Sequence, residues 1–288
     1  MAAPAYTSPL GGGPRPLDGV RVVSIATNVP GPVAVARLVA LGASATKVEP
    51  PSGDYLAFAA RGWYEALSAG IAVVRLDLKD EAGRAQLMVL LADADIFITS
   101  HRPRALERLG LAPADVQARC PRLCFVRILG HAAPDGDVAG HDLTYQAEAG
   151  LVAPPQLPPA LFVDVATGTA AAAAACALLV QRLRTGAGGT MDVAMADEAH
   201  GLAAARTHGL TATGGLLGGA LPQYGVYATR SGWIAIAALE PAFLQRLAAG
   251  LALDEVTVVG LRRAFRERTA AEWAQWGREH DVPIVIVA

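Results

Sequence analysis

From Val20 onward, short apolar runs alternate with longer stretches of helical periodicity. Val20–Ile25, Thr46–Val48, Ile71–Leu76, Ile96–Thr99, Leu123–Ile128 and Thr190–Ala194 are too short for helices and rich in β-branched residues, which predicts strands. Helices are expected between them. Pro32–Leu41 has proline in its first turn and Gly42 at its end, Glu81–Leu91 opens on an acid, and Gly110 stops Pro103–Leu109. Val165–Arg184 closes at the Gly186-Ala187-Gly188-Gly189 turn, and Asp197–Leu210 follows Thr190–Ala194. Continuous apolar strands separated by such helices predict a parallel sheet with crossover helices.

The pattern changes twice. His141–Ala166 reads as irregular, with Pro154, Pro155, Pro158 and Pro159 excluding regular structure between Ala153 and Ala160. After the glycine-rich stretch Thr211–Leu221, Tyr224–Thr229 and Trp233–Ala238 form an expected hairpin around Ser231-Gly232. A helix from Pro241, helices over Leu261–Arg268 and Ala271–His280, and a strand over Pro283–Ala288 complete it. The expected fold class is α/β: a Rossmann-like parallel sheet with crossover helices plus a smaller α+β domain. Residues 1–16 are expected to be a flexible arm, 17–210 the large domain, and 211–288 a small domain of hairpin and helices.

Composition narrows the function classes. The net charge is −2 with no basic or acidic run, so a nucleic-acid partner is not expected. Apolar residues make up 53% and charged ones 17%; a surface so low in charge favours subunit contacts, and a homodimer is expected. Cys120, Cys124 and Cys176 make no disulfide or zinc framework, and the histidines lack ligand spacing, so no metal is expected. No charged segment precedes an apolar one at the N-terminus, and the apolar run Val165–Val180 falls short of the roughly 20 residues a bilayer needs. The expectation is a cytoplasmic protein without a membrane partner.

Candidate chemistry centres on Asp164, His141 and Glu240. Asp164 stands before the expected helix start at Val165, where aspartate is a favoured N-cap. The helix dipole and amides there would hold its charge, and neighbouring free N–H groups are available to a developing oxyanion. His141, between Gly140 and Asp142, offers an imidazole that titrates near neutrality. Glu240, at the end of the second hairpin strand, is a candidate acid to orient it.

Several segments, in order, resemble the family III CoA transferases (CaiB/BaiF type). They are Pro16-Leu17-Asp18-Gly19-Val20, Pro30-Gly31-Pro32 with Leu38-Val39-Ala40-Leu41-Gly42-Ala43, Lys47-Val48-Glu49-Pro50-Pro51-Ser52-Gly53-Asp54, Leu76-Asp77-Leu78-Lys79-Asp80, and Arg102-Pro103 with Leu106-Glu107-Arg108-Leu109-Gly110. Gly140-His141-Asp142 with Tyr145, and Ala238-Leu239-Glu240-Pro241-Ala242-Phe243, look like the α-methylacyl-CoA racemase branch. The resemblance implies an acyl-CoA-processing enzyme with coenzyme A, as its thioester, for substrate. It implies that Asp164 and His141 are the two acid/base groups, that Glu240 supports His141, and that Lys47, Arg75, Arg102 and Arg108 are CoA contacts. In the transferase branch the carboxylate matching Asp164 is instead a nucleophile; a non-catalytic CoA-binding scaffold is a third reading. Two departures stand out. Leu67–Ala72, where the family carries an Asn-Arg-Gly-Lys-like run, holds no basic residue. The small domain is also expected to be shortened at its C-terminus, which bears on the interlocked dimer the family forms.

Overall fold

The computed structural model describes residues 6–7 and 13–287, so most of the expected arm lies outside the described residues. The elements in chain order are β1 (Arg21–Ser24), α1 (Pro30–Ala40), β2 (Ser44–Glu49), α2 (Tyr55–Ala59), α3 (Arg61–Leu67), β3 (Ala72–Arg75), α4 (Glu81–Ala92), β4 (Ile96–Thr99), α5 (Pro103–Arg108), α6 (Pro113–Arg119), β5 (Cys124–Leu129), α7 (Asp142–Glu148), α8 (Phe162–Thr185), β6 (Gly189–Ala194) and α9 (Met195–Thr207). Then come β7 (Tyr224–Ala228), β8 (Trp233–Ala237), α10 (Pro241–Gly250), α11 (Val258–Phe265), α12 (Ala270–His280) and β9 (Ile284–Ile286). Two compact units divide within α9, the first closing at Ala203 and the second starting at Ala204.

In the first unit six parallel strands run in the order β3-β2-β1-β4-β5-β6. Central β4 is buried along its whole length, which explains why it reads as an unbroken apolar run, whereas β3 at the edge is mostly exposed. Alternate side chains feed two cores. Val22, Ile96, Ile98 and Val126 face one way, packing with α1 and α8; Val23, Phe97 and Phe125 face the other, with Leu87 of α4 and Leu106 of α5. The result is a three-layer α/β/α unit.

The apolar α8 is long enough to cross a membrane by length and composition, yet half of its apolar window is buried in the protein. Gly168 accounts for its seat: a Cβ there would lie 2.5 Å from Val33 Cγ1 and 2.6 Å from the Pro30 carbonyl oxygen of α1. With Gly168 and the small buried side chains Ala171, Ala172 and Ala175, α8 comes close to α1. Gly186, at φ 78°, ends the helix in the left-handed conformation that glycine tolerates.

Two expectations are corrected here. The segment His141–Ala166 is not irregular throughout, because α7 occupies Asp142–Glu148. And α8 begins at Phe162, with Leu161 at its N-cap, so Asp164 is the third residue of the helix rather than its cap.

In the second unit β7, β8 and β9 form an antiparallel sheet in that order, with Ile236 opposite Ile284 in register. Its inner face packs Tyr227, Ile234 and Ile236 against Leu247, Phe265, Trp273 and Trp276 of the three helices. The Thr269 hydroxyl accepts from the Glu272 N–H while Glu272 accepts from the Thr269 N–H, a reciprocal cap that starts α12. Within the expected loop Thr211–Leu221, Leu216–Ala220 makes a tight turn that leaves helical geometry at Gly218 and Gly219.

Candidate active site

The strand order reverses between β1 and β4, so the chain leaves their C-terminal ends in opposite directions and opens a crevice. A cleft of about 210 Å³ lies there. Thr27 and Asn28 line it after β1, Ser100 and Arg102 after β4, and Gly130 after β5; His141, Tyr145 and Asp164 come from α7 and α8. The structure thus brings His141, Asp164 and Arg102 to one place.

His141 is the N-cap residue of α7. Its N–H donates to the Thr144 hydroxyl at 3.0 Å, and that hydroxyl donates to the His141 carbonyl at 2.8 Å. These bonds fix the backbone and leave the imidazole exposed.

Asp164 is half-buried, and its carboxyl accepts no hydrogen bond among the described residues. Burial, and after it the charge of Asp142, push its pKa up to about 7. The true cap of α8 is Asp142, itself 5% exposed. Its Oδ1 accepts the N–H groups of Val163 at 2.9 Å and of Asp164 at 3.0 Å. The expectation that amides beside Asp164 would be free for an oxyanion is therefore corrected: Asp142 occupies them.

Tyr145 is buried, with its ring edge toward His131 at 5.3 Å between centroids. Its hydroxyl sits between Gly130 and Gly140, and a side chain at either position would overlap it. Burial, then the acid Glu148, push the phenol up, with Arg102 opposing, so it stays a proton donor at neutrality.

A second, larger cleft of about 480 Å³ opens at the ends of β1, β2, β3 and β4 and shares Thr27 with the first. Ile25, Val48, Leu76 and Leu109 give it apolar walls; Lys79, Arg84 and Arg108 give it cations. Arg84 Nη1 donates to the carbonyls of Leu78 at 3.2 Å and Lys79 at 2.8 Å, anchoring its guanidinium at the rim. Burial lowers the pKa of His101, which also lines this cleft and has Nδ1 3.1 Å from the Thr99 hydroxyl.

The other expected site residues lie elsewhere. Lys47 is 3% exposed and pairs with Glu49 at 2.9 Å and Asp54 at 2.5 Å, while Tyr64 donates to Glu49 at 2.9 Å. A phosphate would have to displace two carboxylates to reach it, so its expected role as a CoA contact gives way to this internal one. Asp54 also accepts the N–H of Asn28 at 3.2 Å and thereby holds that residue at φ 69°, in the left-handed region, beside the cleft. Arg75 is exposed at the end of β3 and lines neither cleft. Glu240 belongs to the second unit, where it is the exposed N-cap residue of α10.

Sequence reasoning had missed Lys79 and Arg84, which line the second cleft. Their signal is topological: both follow the C-terminal end of a parallel strand, where open α/β sheets bind ligands. They supply cations that Leu67–Ala72 lacks.

A family profile described as CoA-transferase family III matches residues 17–288. A probable fatty acyl-CoA transferase of Mycobacterium tuberculosis is 36% identical over a stretch covering 66% of this chain and 53% of the relative. The chain therefore spans about half the length of that protein. Human alpha-methylacyl-CoA racemase is 30% identical, with 90% of this chain and 74% of the racemase covered. A crystal structure of the mycobacterial protein superposes with a TM-score of 0.80 at 29% identity, covering 96% of this chain and 84% of that one.

Proposed function

The chain belongs to CoA-transferase family III, and on that premise we propose that it moves the α-proton of an acyl-CoA thioester, in the manner of a 2-methylacyl-CoA racemase. The observation that carries the reading is the Asp164 carboxyl, pushed up to about 7 in a cleft it shares with the exposed His141. A group that binds and releases a proton near neutral pH is matched to acid–base work, whereas a nucleophilic carboxylate is better served by full ionisation.

In the proposed reaction the Asp164 carboxylate takes the α-proton from one face, and the C–H electron pair moves into the thioester to form the enolate. The His141 imidazolium then returns a proton to the opposite face, which inverts the centre; the reverse direction exchanges the two roles. Because Asp142 holds the α8 amides, the proposed donor to the enolate oxygen is the Tyr145 hydroxyl. The larger cleft would take the nucleotide of CoA, with apolar walls for the base and Lys79, Arg84 and Arg108 for phosphates. Arg102 stands at the crevice mouth, and a chain threaded past Thr27 would join the two clefts. A homodimeric assembly belongs to the same proposal.

Exchange of the α-proton in deuterated water, with a 2-methylacyl-CoA as substrate, tests it. The wild type should incorporate deuterium, and Asp164→Ala and His141→Ala should each lose about a hundredfold or more of that rate. A wild type no faster than Asp164→Ala refutes the racemase reading. The name of the mycobacterial relative favours a second reading, CoA transfer. There the Asp164 carboxylate would attack the thioester carbonyl and release CoA as the thiolate, leaving a mixed anhydride. Hydroxylamine would trap Asp164 during turnover in that case alone.

A further inference from the structure

We infer that Asp142, gripped by Gln146, is the positioning residue for Asp164: it seals the α8 N-terminus and sets a fixed negative charge behind the reactive carboxyl. The inference deepens the reading above and rests on Asp164 as the proton-transfer group. Asp142 does not line the cleft, so it acts through Asp164 rather than on a substrate. Its two oxygens are divided between two tasks. Oδ1 receives the Val163 and Asp164 amides at 2.9 and 3.0 Å. Oδ2 receives Gln146 Nε2 at 2.5 Å.

Gln146 is 1% exposed, and the same Nε2 also donates to the Ala160 carbonyl at 3.2 Å. Its Oε1 is buried without a hydrogen-bond partner. An orphaned buried acceptor is costly. Its retention fits a residue fixed by what its amide nitrogen holds: Asp142 and the chain just before α8.

The charge arrangement follows from the donors. Three converge on Asp142, and none reaches the Asp164 carboxyl among the described residues. Donors around a carboxyl favour its charged form, and a carboxyl without them is left to burial and to the neighbouring charge. The other ionisable groups facing Asp164 across the cleft are Arg102 before α5, and His141 and Tyr145 on α7; none is ion-paired to it among the described residues. Asp142 also occupies the Val163 and Asp164 amides, and this leaves enolate stabilisation to side chains of the cleft.

The test is the titration of Asp164 itself, followed by carbon-13 NMR of labelled aspartate carboxyls and assigned by loss of its signal in Asp164→Asn. Asp142→Asn keeps the shape and removes the charge. Its expected effect is a fall of about tenfold in the proton affinity of Asp164. The midpoint would remain above the ordinary aspartate range, because burial, the larger cause, is untouched. The pH profile of deuterium exchange should move by the same amount.

Gln146→Leu, which removes the grip and leaves Asp142, should shift the midpoint in the same direction by less. It serves where Asp142→Asn does not fold. An Asp164 midpoint unchanged in a folded variant overturns the inference. Because the titration needs no turnover, a shifted midpoint with no exchange in the wild type would uphold the positioning role and sink the racemase reading.

Discussion

Replacing Asp164 with asparagine should stabilise the protein at alkaline pH while abolishing its chemistry. The carboxyl has a pKa of about 7 in the folded chain against an ordinary 3.8, so folding strengthens its hold on the proton. Below about pH 4 the group is protonated in both states and contributes no difference. Between about 4 and 7 the unfolded chain loses the proton and the folded chain keeps it, so wild-type stability falls as pH rises. Above about 7 the whole loss is present. At about 1.4 kcal/mol per pH unit, the interval from 3.8 to about 7 amounts to roughly 4 kcal/mol as an upper bound. Asp164 borders a cleft open to water, so about half of that is the expected figure.

Asparagine occupies nearly the same volume and does not ionise, and the Asp164 carboxyl has no hydrogen bond among the described residues for it to lose. The variant should therefore match wild type near pH 4 and exceed it by about 2 kcal/mol at pH 8. Urea denaturation at a series of pH values reads this directly, because a change in midpoint at constant slope is a change in stability. A stability difference that stays flat with pH, or a wild type more stable than the variant at pH 8, would refute the assignment of a high proton affinity to this carboxyl. The trade is the usual one at a reactive site, where a group held in an unfavourable state for chemistry lowers stability.

Two further outcomes follow from the packing. Lys47→Met leaves Glu49 and Asp54 buried without their cation and should destabilise by about 3–5 kcal/mol in urea denaturation at neutral pH. Gly168→Ala would force a methyl against Val33 and the Pro30 carbonyl, separating α8 from α1, and should cost about 1–3 kcal/mol by the same assay.

The sheet was legible because its central strands are buried on both faces and their sequences show it: Ile96–Thr99 and Cys124–Leu129 contain almost nothing polar. Edge strand β3 was found through its β-branched residues, although most of it is exposed. Some short helices were lost, although α5 was expected from its proline and Gly110. α2 and α3 meet at Ala60, each too short to show a helical period, and α2 is capped by Asp54, a residue that also answers to Lys47 and Asn28. The resemblance to a family likewise carried Lys47 forward as a CoA contact. Only the fold reveals that Glu49, two residues along the same strand, and Asp54 neutralise it.

Asp164 of the cleft and Asp142 behind it show most clearly what local pattern withholds. Both Asp142 and Asp164 precede or begin a helix, and near-neighbour rules make each a cap for the helix it starts. In the structure Asp142 opens α7 and caps α8 instead, across a separation of 21 residues to Val163. A cap supplied from so far upstream has no signature in the residues around α8, so the role falls by default to Asp164. The error matters chemically, because an N-cap carboxylate is held ionised by the amides it accepts. Freed from that duty, and placed beside a carboxylate that performs it, Asp164 is the carboxyl whose pKa burial pushes up to about 7.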